Sequence, residues 1–320
     1  MIGRYGIAGA YGLGMAGAAL VLALPIFAPG MVGYAIGLFM YATLAMGWNL
    51  QGGYLGDLSF GHVAFFGLGG YGVALLIENH ILDWGPINVI VGALGAAAFA
   101  AVIGVPFLRL KGFYFAIGTL GLSGLLALVF KNLLEDVTHG AAGIMVPAPQ
   151  PYHIETFYYS ILGIAVLTLV GSAILIRSRV GLAFRAVRDN PEAAYSLGIH
   201  VTFYRVLGFA VSAFVVGLVG GFYAYYTNYL NPDGMFAATV SFEMLVMVFL
   251  GGAGTLGGPL LGAVVFYVLQ EVGRQYIGQG FYILPALILI IVFMFLPSGL
   301  MGVPLGRRPR FGFSRKVGRR

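Results

Sequence analysis

Long runs of apolar residues, separated by short polar or glycine-rich clusters, occupy most of the chain. Ten of them read as candidate spanning helices: 7–28, 32–50, 60–78, 87–108, 112–130, 157–176, 206–227, 234–250, 259–272 and 281–296. A helix that crosses a bilayer needs roughly 20 apolar residues, so the eighth and ninth are short for the task. The runs are continuous rather than alternating, which excludes an outer-membrane β-barrel. The first is too long for a signal-peptide core and has no convincing small-residue cleavage site, so it reads as an anchor. The pattern predicts an all-α, polytopic transmembrane helical bundle of about ten spans, some of them short or broken.

Charge placement orients this bundle. With the N-terminus in the cytoplasm, fifteen basic residues fall inside: Arg4, Arg109, Lys111, Arg177, Arg179, Arg185, Arg188, Arg205 and the tail residues Arg307, Arg308, Arg310, Arg315, Lys316, Arg319 and Arg320. Only Lys131 and Arg274 fall outside, together with Glu78, Asp83, Glu135, Asp136, Glu155, Asp233 and Glu271. This is the asymmetry of the positive-inside rule. It requires 234–272 to be a hairpin, because a single crossing would carry the basic tail outside. The domain reading is a membrane domain over 1–306, containing an inside loop at 177–205, and a basic cytoplasmic tail over 307–320 suited to anionic lipid.

Composition narrows the chemistry. Hydrophobic residues make up 60% of the 320 positions and charged residues 9%, against about 25% charged in a soluble domain; the mean hydropathy is +0.93. The 51 glycines suit helices that pack backbone to backbone. Cysteine is absent, which removes disulfides, thiolate nucleophiles and Cys-ligated metals. No lysine follows a glycine, so there is no phosphate loop, and no H-E-x-x-H occurs. The histidines His62, His80, His139, His153 and His200 are scattered, and neither a metal nor a cofactor is expected. Gly121-Leu122-Ser123-Gly124 resembles the serine motif of intramembrane proteases, with His62 as its conceivable base; a small-residue packing face explains it better.

Two glycine-rich interruptions carry more information. Gly52-Gly53-Tyr54-Leu55-Gly56 and Gly251-Gly252-Ala253-Gly254-Thr255-Leu256-Gly257-Gly258-Pro259 each separate two apolar segments, about 200 positions apart. Paired interruptions of this kind point to a pseudo-repeat of two halves whose broken helices line a transport route; the plainer reading is close helix packing. Asp57, Ser59 and His62 follow the first interruption, and Glu243 precedes the second. Polar groups at membrane depth tend to face a bundle interior or a wet cavity. The candidate route is therefore Gly53, Asp57, Ser59, Gly61, His62, Glu243, Gly252, Gly254 and Gly257. Ser59 is a candidate cap for the helix that follows, and Asp57 is an equal candidate for that purely structural role.

The inside loop Arg179–Ile199 reads as helix, turn, helix. Asn190 is a good N-cap, Pro191 suits the first helical position and Gly198 ends the short second helix. Such an amphipathic element either lies on the membrane or enters a partner's groove. Here a resemblance appears. Glu192-Ala193-Ala194 followed by Gly198 resembles the EAA-x3-G loop of ABC importer permeases. Together with Gly53–Gly67 and Leu250–Pro259, it makes residues 32–300 resemble the branched-chain amino acid ABC transporter permeases of the LivM type. Pro191 before the glutamate departs from the usual pattern.

The resemblance implies a non-catalytic permease subunit in the bacterial cytoplasmic membrane. Its expected partners are a second homologous permease subunit, two ATP-binding subunits and a periplasmic or surface solute-binding protein. Alternating access would be driven by ATP hydrolysis in the partner. Arg185, Arg188, Glu192, Ala193, Ala194 and Gly198 would then contact the ATPase. Importers of urea and short amides share the family. An ion-driven secondary transporter is the alternative from another class, but only Asp57 and Glu243 would serve as its mid-span ionisable groups, and both sit near segment ends.

Overall fold

The computed structural model describes residues 21–82, 85–110, 112–147, 153–277 and 299–302, with isolated positions 287, 288, 290 and 294. The first expected span up to residue 20, most of the tenth and the basic tail lie outside the described residues. Helices run over α1 (Val32–Asn49), α2 (Val63–Glu78), α3 (Pro86–Phe107), α4 (Phe113–Leu128), α5 (Ile154–Arg177), α6 (Arg179–Asp189), α7 (Pro191–Ser196), α8 (Val201–Thr227), α9 (Ala238–Gly251) and α10 (Gly258–Ile277). Helical stretches long and apolar enough to cross a membrane cover Pro29–Leu55, Pro86–Phe107, Phe113–Leu133, Ile154–Arg177, Val201–Thr227 and Pro232–Gly251, the last interrupted at Phe236 and Ala237.

Several boundaries differ from the expected ones, each for a local reason. The third run was expected over 60–78, but α2 starts at Val63 and has 16 residues. At about 1.5 Å per residue it is roughly 24 Å long, short of a hydrocarbon core of about 30 Å. α10 continues past 272 to Ile277, where Arg274 pairs with Glu271 at 2.8 Å, a neighbouring pair on one helix face. α8 begins before 206 and takes in Arg205, whose charge has a partner described below. α1 and α4 both end in π-turns, at Leu50–Leu55 and Val129–Leu133. The all-α expectation also missed a small antiparallel pairing of Ile144–Met145 with Tyr229–Leu230, in the register Ile144 to Leu230 and Met145 to Tyr229.

Small residues set the packing. α8 lies against both α2 and α3, and a side chain added at Gly69 or Gly220 would strike the carbonyl of Gly217 or Phe66 respectively. Helices in lipid gain their attraction from such close backbone contact. α9 and α10 fold back on each other as the expected hairpin, with Gly262 against the carbonyl of Met247 and Gly251 against that of Gly258. The interior is apolar, as in a soluble domain, with some buried polar groups, but the surface is apolar too. Leu94 and Val102 of α3 are 55% and 75% exposed, and Leu167 of α5 is 73% exposed, while Asn49, Gln51, Ser59, His62, Asn88, Thr119 and Ser212 are buried. Apolar faces of this extent need lipid or a partner.

The connecting segments gather at two ends. One end holds the first glycine break, the C-terminus of α3, α6, α7, the start of α8 and the α9–α10 turn. The other holds the ends of α2, α4 and α8 and the two-stranded pairing.

Candidate functional site

The two glycine interruptions meet. Asn49, in the last turn of α1, accepts a hydrogen bond from the Gly254 N–H through Oδ1 at 2.9 Å and donates through Nδ2 to the Thr255 carbonyl at 2.9 Å. One amide side chain thus reads both polarities of the opposite turn. The first break is shaped by the π-turn and by Gly56, whose φ of 80° reverses the chain. The second leaves α9 at Gly252 and restarts at α10, where Thr255 Oγ1 accepts from the Gly258 N–H at 3.0 Å, a helix cap. Gly257 faces the side chain of Met301.

Beyond the first break the predicted residues separate into distinct settings. Asp57 is buried, paired with Arg205 of α8, and accepts from Gln51 Nε2 at 3.2 Å. Arg205 also reaches the Leu108 carbonyl at 3.4 Å. Ser59 is fully buried; its carbonyl accepts from Trp48 Nε1 at 2.8 Å and its hydroxyl from the Gly61 N–H at 3.3 Å. Neither Ser59 nor Asp57 caps α2. The Val63 N–H instead donates to Ser241 Oγ of α9 at 2.9 Å, so the cap comes from the other half of the chain. Gly61 lies against the Thr119 carbonyl, where an added side chain would collide.

His62 is fully buried among Trp48, Phe65 and Phe209. Its Nε2 lies 2.7 Å from Ser212 Oγ, and the Ser212 hydroxyl donates to the Gly47 carbonyl at 2.7 Å. The serine's single proton is therefore used, which makes Nε2 the donor and fixes the tautomer. Ser123 donates to the Leu120 carbonyl of its own helix at 2.7 Å, so the protease-like pairing of Ser123 with His62 does not form. Glu243 accepts from the Tyr41 hydroxyl at 3.2 Å and from Gln270 Nε2 at 3.1 Å, away from the Asp57 cluster. An apolar cavity of about 800 Å³ between α3, α5 and α8 is lined by none of the residues expected along the route.

The inside loop folds as helix, turn, helix. Ser178 caps α6 through the Val180 N–H at 3.2 Å. Asn190 ends α6 and caps α7, accepting from the N–H groups of Glu192 and Ala193 at 3.0 Å each, with Pro191 in the first position. At the far end Gly198 has φ 82°. Its N–H donates to the Tyr195 carbonyl at 2.9 Å, and that of Ile199 to the Ala194 carbonyl at 3.0 Å, which is the Schellman ending. The loop is anchored below by Phe184, Val187 and Ala194, buried with Leu50, Tyr54 and Leu55 of the first break.

Residues 30–294 match the family model described as the permease component of branched-chain amino acid transport systems. The chain belongs to this permease family. The permease is similar to the high-affinity branched-chain amino acid transport permease protein LivM of Salmonella typhimurium, with 29% identity over 301 residues covering 85% of this chain and 70% of that one. It is similar also to LivH of Escherichia coli, at 25% identity with 82% and 92% covered, and to a probable LivM of Methanocaldococcus jannaschii, at 22% with 82% and 90% covered. No solved structure gives a significant match.

Within the permease, the loop residues do not all point one way. Glu192 and Ala193 are exposed, whereas Ala194 is 2% exposed and faces the permease's own interior. Ala194 therefore offers no surface for close seating of a partner. The apolar side chains presented by α7 and its C-cap are Tyr195 and Leu197, 72% and 81% exposed; their placement among polar neighbours around a short capped helix was the available signal. Arg185 donates to the Ile176 carbonyl at 2.8 Å and Arg188 to the Gly53 carbonyl at 2.7 Å, so both guanidinium groups bind within the chain.

Proposed function

We propose that the permease forms one half of the translocation route of an ABC importer for branched-chain amino acids. It pairs with a second homologous permease subunit, two ATP-binding subunits and a solute-binding protein, and ATP hydrolysis resides wholly in the partners. It sits in the cytoplasmic membrane with both termini inside, as about ten spans in two similarly broken halves. The single observation that carries this reading is the family match over 30–294. Two further features support it: the asymmetry of basic residues, and a short, doubly capped helix standing at the basic end.

In this reading α7 seats in a groove of the ATP-binding subunit, led by Glu192, Ala193, Tyr195 and Leu197. The route runs past the paired glycine breaks, bordered by Gly53, Asp57, Ser59, Gly61, His62, Gly252, Gly254 and Gly257, with Glu243 further along. As in the importers it resembles, selectivity rests largely on the binding protein. The chain has no native cysteine, which makes single-cysteine crosslinking clean. Ala193→Cys and Tyr195→Cys are expected to trap the ATP-binding subunit, and Ala194→Cys to react poorly. Absence of crosslinks from both exposed positions in an active transporter overturns the assignment of α7. Uptake of leucine and of urea, each with its cognate binding protein, decides between branched-chain and urea-type cargo.

A further inference from the structure

Arg188 stands in the last turn of α6, at the edge of the proposed coupling loop; the residue is exposed, and its guanidinium reaches back onto the first break. Nη1 donates to the carbonyl of Gly53, 135 positions earlier, at 2.7 Å. That carbonyl lies in the π-turn that closes α1. The last carbonyls of a helix lack partners within it, and a cation placed there also meets the negative end of the helix dipole. Arg188 therefore finishes α1 from a different segment of the chain.

The second break meets the same side chain. A side chain added at Gly254 would come within 2.5 Å of Arg188 Nη1 and 2.9 Å of the Gly53 carbonyl oxygen. Three groups thus share one point: the guanidinium, the first break and the second break. Asn49 holds the two breaks to each other through Gly254 and Thr255. The Arg188 stem also covers Gly56, the left-handed residue that turns the chain out of α1.

Nothing slack lies between Arg188 and α7. Asn190 is at once the residue that ends α6 and the cap of α7, and both helices are seated on Leu50, Tyr54 and Leu55 through Phe184, Val187 and Ala194. We propose that Arg188 is a positioning residue that fastens the coupling loop to both glycine breaks, so that a displacement of α7 reaches the two breaks together. Without it, α7 still meets its partner, but the second break follows the loop only indirectly, through Asn49 and through Leu256 packed against the apolar cluster under the loop, with no polar bond to the loop at that point. This inference rests on the reading of α7 as the contact with the ATP-binding subunit.

The test uses the complete transporter in proteoliposomes, with its binding protein and radiolabelled leucine, and reads leucine taken up per ATP hydrolysed. For Arg188→Ala the expected result is a roughly tenfold fall in that ratio, the scale on which one charge-assisted hydrogen bond biases an equilibrium. Hydrolysis and the Ala193→Cys crosslink persist. Arg188→Lys, which keeps a cationic donor, recovers most of the ratio, and the neutral Arg188→Gln recovers less. An unchanged ratio in Arg188→Ala overturns the proposal. So does a parallel loss of uptake and hydrolysis in an assembled complex, which marks a merely structural role. If Arg188→Ala does not assemble, the order of wild type, Lys and Gln is read instead, and equal ratios overturn the proposal. Failure of the coupling reading itself shows separately, as absence of the Ala193→Cys crosslink in an otherwise wild-type complex.

Discussion

The two ends of the bundle are held together by different physics. At the glycine-break end, side chains bind buried backbone or buried partners: the exposed Arg188 on the buried Gly53, the buried Asn49 on the second turn, Arg205 on the buried Asp57. These links join segments 135, 205 and 148 positions apart. At the other end the ion pairs stand in the open. Lys131 meets Asp233 at 2.8 Å with side chains 34% and 68% exposed, and His139 meets Glu78 at 2.5 Å with side chains 53% and 35% exposed. A buried polar link fixes geometry because its loss leaves an unsatisfied group behind, whereas an exposed pair exchanges readily with water. The first end therefore holds its segments in fixed geometry, and the second tolerates change.

The largest expected effect tests that contrast directly. Arg205→Ala leaves the Asp57 carboxylate buried without its cation, a loss on the order of 3–5 kcal/mol. Thermal unfolding of the purified complex is expected to shift strongly, while Asp57→Asn with Arg205→Gln together recovers part of the loss. A shift no larger than that of an exposed pair breaks the comparison.

Next in size is Gly61, pressed against the Thr119 carbonyl. Gly61→Leu is expected to cost about 1–3 kcal/mol by overpacking and to abolish leucine uptake in protein that still reaches the membrane. Normal uptake would show that close approach of the α2 entry to α4 is not needed. Gly198 isolates backbone strain from packing, because open space surrounds it and only its φ of 82° constrains it. Gly198→Val is expected to cost roughly 1–2 kcal/mol and to lower leucine uptake per ATP, while Gly198→Asn, which tolerates the left-handed region, stays close to wild type. Equal behaviour of Val and Asn removes the Schellman turn from the coupling argument.

Much of this was legible in the sequence because it is local. Asn190, Pro191 and Gly198 announce the start and stop of α7 within nine positions, and the apolar runs announce most helices. The misses are non-local. That α2 takes its cap from Ser241, 178 positions away, leaves no trace near Ser59 or Asp57, both of which were chemically sound candidates. The reach of Arg188 back onto the first break and the burial of Ala194 depend on which face of a short amphipathic element meets the bundle, and the motif Glu192-Ala193-Ala194 does not encode that face. Arg205 looked like one more inside charge until α8 brought it to Asp57. The end of α10 was missed for the opposite reason: Glu271, Arg274 and Gln275 break the apolar run but bond to one another within the helix.

The smallest expected effect belongs to the open end. Lys131 lies within the π-turn after α4 and Asp233 in the short helix Pro232–Met235 before α9, so their pair joins two connections on a surface that water reaches. An exposed pair of this kind contributes about 0–1 kcal/mol, and added salt screens it further, since the Debye length falls to roughly 3 Å at 1 M. Lys131→Ala is therefore expected to shift thermal unfolding only slightly at low ionic strength and not at all at high. The neighbouring contacts explain why little else depends on it. The same region is also held by the Ile144 to Leu230 strand pairing and by the Thr138 hydroxyl on the Phe130 carbonyl at 2.5 Å, neither of which needs the lysine. If Lys131→Ala instead lowers stability as much as Arg205→Ala and does so at high salt, the pair is structurally buried in the assembled transporter. A partner would then cover this end, and the contrast between the two ends would hold only for the isolated chain.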